Sequence, residues 1–146
     1  MTGHLVLRVV AKLLLPLILL FALYVQFHGD FGPGGGFQAG VIFAAGFILY
    51  ALIFGVRQGR RVLPGWLAHN LVAVGLLIYA GTGVATLALG GNFLDYNVLA
   101  HAPAEGQELG IMLIEFGVGV AVSSAMIIIV YMFAGRGEDD GEEDRE

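Results

Sequence analysis

One carboxylate stands inside a long apolar run. Glu115 lies in LGIMLIEFGVGVAVSSAMIIIVYMFA, residues 109–134. It is about six residues from the start of the run, or roughly 9 Å along a helix. Ionisable groups in such runs are costly and mark functional positions. Gly119 and Ser123 follow at i+4 and i+8, so the three share one helical face. Small residues at this spacing let helices approach closely, which points Glu115 at another helix. A carboxyl withdrawn from water favours its neutral form unless a cation or donor stands near, a property suited to proton exchange. The residues leave a second reading open, a hydrogen-bonded carboxyl that locks helix packing.

Other polar groups fall on similar faces. Gly75, Tyr79, Thr82 and Thr86 recur at helical spacing in the apolar run 66–89. The phenol and the two hydroxyls are candidates for an ion path, although Thr hydroxyls also bond carbonyls of their own helix, and packing is the favoured reading. Gly36, Gly40 and Ala44 form a third small-residue face. His69 and Asn70 read as interfacial polar residues. His28 and His101 have no metal-like spacing to each other. The chain has no cysteine, so disulfides, thiolate metal sites and Cys nucleophiles are excluded. Nothing points to an enzyme, a metal or a cofactor.

FHGDFGPGGGFQAG, residues 27–40, holds six glycines between two apolar runs. A Walker A loop would need a following Lys and Ser/Thr. A dinucleotide fingerprint would need a preceding strand, and neither condition is met. The first N–H groups of a helix lack intrahelical partners, and irregular backbone near lipid survives only where protein or water satisfies it. Gly34, Gly35 and Gly36 permit unusual dihedrals and close approach by another chain. Pro33 fixes one turn residue, and His28 and Asp30 supply polar caps or pairing groups. The stretch reads as a compact hairpin packed against something.

The elements that position these residues are membrane helices. The 146-residue chain is 58% hydrophobic and only 13% charged, with a mean hydropathy of +0.83. A soluble domain is nearer one-quarter charged. Four runs reach the roughly 20 residues needed to cross a bilayer as a helix, at about 5–27, 37–56, 66–89 and 109–134. Together they predict an all-α integral membrane domain over 1–134. Arg8, Lys12 and Pro16 lie four apart on one face of the first run, and the two cations must snorkel if they lie within it. The first run resembles a signal peptide but lacks a small-x-small cleavage pattern, and is read as a retained anchor.

The seven basic residues are Arg8, Lys12, Arg57, Arg60, Arg61, Arg136 and Arg145. All fall on one side of a four-span topology, so both termini are expected in the cytoplasm and the glycine loop outside. Trp66 sits where an interfacial aromatic belongs. Seven of the twelve acidic residues lie in the last nine positions, and 135–146 reads as an acidic, disordered cytoplasmic tail.

HGDFGPGGGFQAG resembles the H-G-x-x-x-P-G-G-G-F-x-x-G signature of the B subunit of Mrp-type multisubunit cation/proton antiporters, the MnhB family. The match falls on His28, Gly29, Pro33, Gly34, Gly35, Gly36, Phe37 and Gly40. IEFGVGVAV, Ile114–Val122, resembles that family's F-D-x-G-V segment, with Glu115 at the acidic position. The departures are Asp30 where His is common, Ala39 where Gly is common, and Glu for Asp.

The resemblance implies a small subunit of a hetero-oligomeric complex that exchanges Na⁺ or K⁺ for protons, in a prokaryotic cell (inner) membrane. It also implies that larger subunits carry the main proton routes. The residues agree, since one buried carboxylate and a few hydroxyls are a thin supply for a stand-alone carrier. The expected function is to pack and seal within the complex and to contribute one residue to an ion path. The expected partners are other antiporter subunits, the transported ions and lipid, and no nucleic acid. Two other readings remain: a small homo-oligomeric carrier, and a membrane piece of an energy-converting redox complex such as a membrane-bound hydrogenase.

Overall fold

The computed structural model describes the backbone of residues 2–29 and 33–143 and the side chains of 5–29 and 33–134. Among them every regular element is a helix: α1 (Thr2–His28), α2 (Gly36–Phe54), α3 (Val56–Val62), α4 (Gly65–Ala88), a 3-10 turn at Tyr96–Leu99, and α5 (Pro103–Glu143). Four segments are long and apolar enough to span a membrane: Leu5–His28, Gly36–Phe54, Gly65–Ala88 and Pro103–Ala134. The expected all-α, four-span architecture is therefore the observed one.

Local chemistry explains where the elements differ from expectation. The second span stops at Phe54 because Gly55 takes φ 102°, a conformation that L side chains rarely adopt. The chain then re-forms the short helix α3 across RQGRR, between the expected second and third spans. α5 begins at Pro103, six residues before the expected 109. Proline suits a first helical position because its missing N–H has no partner there. The acidic stretch 135–146 falls where no side chain is described.

The helices form a row rather than a closed bundle. α1 packs on α2, α2 on α5, and α5 on α4, which leaves α1 and α4 at opposite ends. Lipid gives no hydrophobic drive between helices, so close backbone approach has to hold them. α5 supplies it on two sides. Gly117 and Gly119 lie two residues apart, about 200° around the helix. A Cβ built on Gly117 would stand 2.9 Å from the Gly75 carbonyl of α4. One built on Gly40 of α2 would stand 2.7 Å from the Gly119 carbonyl. The sequence EFGVG thus lays one glycine against each neighbour.

α3 is tied to α5. Arg60 donates from Nη2 to the Tyr131 carbonyl at 2.9 Å, and its guanidinium lies 5.5 Å from the Tyr131 ring centroid. Gly59 is buried, with space for no side chain between Ala51 and the Tyr131 hydroxyl.

Candidate functional site

Glu115 lies on the α2-facing side of α5, and the glycine loop meets it there. A Cβ on Gly29 would fall 2.9 Å from Glu115 Oε2 and 3.0 Å from Oε1. A Cβ on Gly35 would fall 2.8 Å from Oε1. One on Gly36 would overlap the backbone of Glu115 itself. Gly29 and Gly35 therefore leave the space that this carboxylate occupies, and Gly36 leaves space for the backbone that carries it. The loop is closed on its other side by α1: Gly35 N donates to the Val25 carbonyl at 3.2 Å. A Cβ on Gly34 would meet that same carbonyl at 2.9 Å. Close approach was expected from another chain, and here residues of this chain make it.

The position has an electrostatic consequence. Gly35 is the N-cap of α2, with φ 116° and no side-chain cap of its own. Helix N-termini carry partial positive charge and unpartnered N–H groups. Glu115, half-buried, places a carboxylate where the cap lacks one.

A small cavity of about 230 Å³ begins one turn further along α5. Gln26 of α1, Gly40 of α2, and Gly119 and Ser123 of α5 line it. A Cβ on Gly119 would stand 2.9 Å from Gln26 Oε1, so the amide group reaches the glycine below Glu115. Ser123 is buried and donates to the Val120 carbonyl at 3.1 Å. The sequence analysis missed Gln26. Its signal was a polar residue at the end of an apolar run, two positions before His28.

The remaining motif residues divide. His28 ends α1 and stacks on Tyr24, with centroids 5.0 Å apart. Pro33 and Phe37 are exposed, Phe37 by 63%. Gly40 belongs to the α2–α5 contact. Asp30 lies outside the described residues.

Thr82, Thr86 and Tyr79 are not part of this cluster. Thr82 and Thr86 are buried on the α4 face that meets α5 through Gly75 and Gly117, the other side of α5 from Gly119. Thr82 donates to the Ile78 carbonyl at 2.8 Å and Thr86 to Gly83 at 2.8 Å. Thr86 also accepts from Leu94 N at 2.9 Å, and Leu94 is the described non-glycine residue with positive φ, 64°. Thr86 thus pins the loop after α4. Phe93 covers Gly83 and Tyr96 covers Gly110 in the same way. Tyr79, 38% exposed, sits near Tyr96. Burial, and then the Tyr79 phenol, push the Tyr96 hydroxyl above its usual range, so Tyr96 stays neutral. His69 Nδ1 lies 2.7 Å from the Gly65 carbonyl of its own helix.

Residues 6–128 match the family model described as a domain related to the MnhB subunit of Na⁺/H⁺ antiporter. That match covers both halves of the site, the glycine loop and the Glu115 segment. The chain belongs to the MnhB family. Among its relatives, antiporter subunit mnhB2 of Staphylococcus haemolyticus (strain JCSC1435) is 37% identical over 131 residues, covering 83% of this chain and 92% of the relative. The protein of the same name from Staphylococcus aureus (strain Newman) is 34% identical over 130 residues, covering 88% and 92%. An MnhB-family chain is a transport component, and the four apolar helices make it a multi-pass membrane protein.

Proposed function

We propose that this chain is an integral subunit of a multisubunit antiporter exchanging Na⁺ or K⁺ for protons, and that Glu115 with its glycine loop contributes a protonation site to the ion path. Family membership supports the first half. The second half is carried by one observation: the Glu115 carboxylate lies in a space kept by Gly29 and Gly35 at the N-terminus of α2. Proton occupancy of Glu115 and the loop are then linked, because a carboxylate and a carboxylic acid interact differently with the start of α2 while both fill the same space. Gln26 and Ser123, along the adjoining cavity, extend the polar line away from the loop. Thr82, Thr86 and Tyr79, the other ion-path candidates, stand apart from this site on α4, where Thr86 holds the following loop.

An open row of four helices presents long apolar flanks, including Leu13, Leu17, Leu20 and Phe27 of α1, and these suit burial against other subunits as well as lipid. The complex resides in the prokaryotic cell (inner) membrane, with both termini and the acidic tail 135–146 in the cytoplasm and the glycine loop outside. Native mass spectrometry of the tagged chain, released from its own membrane, tests the assembly: it should emerge with other antiporter subunits. Recovery as an active homo-oligomer would contradict the proposal, as would recovery with redox subunits.

A further inference from the structure

α1 and α2 touch where Gly46 faces Ile18 and Leu19; a Cβ on Gly46 would lie 3.2 Å from each side chain. From that contact toward the start of α1, a cavity of about 820 Å³ opens between the two helices. Its α1 wall carries Arg8, Lys12 and Leu15, its α2 wall carries Phe47 and Phe54, and α3 adds Gln58 and Val62, while Arg57 and Arg61 of α3 are not among the lining residues. The Lys12 ammonium stands 5.9 Å from the Phe54 ring centroid, which holds it over the groove.

The lining described has two cations and no carboxylate. Arg8 and Lys12 stand one helical turn apart, so they repel, and cations at membrane depth are costly without a partner. The wall beyond them is apolar. The groove therefore asks for an anion joined to an apolar body. Basic pockets between membrane helices on the cytoplasmic side hold anionic lipid headgroups in this way.

We infer that the α1–α2 groove is a binding site for one anionic phospholipid, with the phosphate on Arg8 and Lys12 and an acyl chain along Leu15 and Phe47. The site is separate from Glu115 and does not depend on its role. The test is native mass spectrometry of the chain with its accompanying subunits in neutral detergent, with phosphatidylglycerol titrated against phosphatidylcholine. Phosphatidylglycerol should be retained in preference. Arg8→Gln with Lys12→Gln should lower that retention about fivefold for each charge removed. Arg57→Gln with Arg61→Gln removes the same charge outside the groove and should leave retention unchanged. Leu15→Trp keeps both cations, fills the groove and should also lower retention. Equal loss in both charge variants would overturn the assignment, as would unchanged retention in either groove variant or equal retention of phosphatidylcholine. So would a groove variant that sheds a protein subunit while keeping the lipid.

Discussion

At the scale of residues, the same polar atom type does different work according to what backbone surrounds it. Thr86 was a candidate for an ion path because a hydroxyl in a span is conspicuous. Its hydroxyl instead donates to Gly83 and accepts from Leu94, and Leu94 holds a left-handed conformation that needs such support. Thr86→Val keeps the shape and removes the acceptor. It should lower stability by about 1–3 kcal/mol, the cost of an unpaired buried N–H, read as thermal unfolding of the purified protein, while Thr86→Ser stays near wild type. An unchanged Val variant would remove the anchoring role. Glu115 was legible as a candidate position from its isolation in an apolar run. Its surroundings were not, because a carboxylate and a loop some eighty residues apart meet only through the α2–α5 contact.

At the scale of elements, the spans were legible because length and apolarity alone decide membrane crossing. The close-packing faces were legible because small residues at i+4 spacing have one main use in lipid. What the sequence hid was the occupant of each gap. A run such as Gly34, Gly35, Gly36 announces that something comes close, and several guests would serve. The guest is the Val25 carbonyl at Gly34 and Glu115 at Gly35 and Gly36. Gly35→Val now carries two penalties: strain at φ 116°, about 1–3 kcal/mol, and a Cβ 2.8 Å from Glu115 Oε1. It should displace the carboxylate and lower co-purification with partner subunits, whereas Asp30→Asn should not. Quantitative pull-downs of both variants decide, and intact assembly with Gly35→Val would refute the packing account. The short helix α3 and the Tyr96 turn were illegible for a related reason: each is fixed by contacts across the fold, Arg60 with Tyr131 and Tyr96 with Gly110.

At the scale of the whole molecule, an open row of helices and a one-sided distribution of Lys and Arg describe a piece of something larger. Orientation is directly testable because the chain has no cysteine. Single cysteines at Asn97 and Asp139 should react from opposite sides of the membrane, and labelling of both from one side would refute the proposed topology. The central claim, however, is that the carboxylate among the glycines exchanges a proton as part of cation transport. Cation/proton exchange in inside-out vesicles holding the assembled complex measures it most directly. Glu115→Gln keeps size and the capacity to accept hydrogen bonds from the loop, so the complex should assemble at wild-type levels. Its exchange rate should fall at least about tenfold, within the range that general acid–base groups supply, and Glu115→Asp should restore part of it. Wild-type exchange by an assembled Glu115→Gln complex would contradict the account and leave Glu115 as a packing residue.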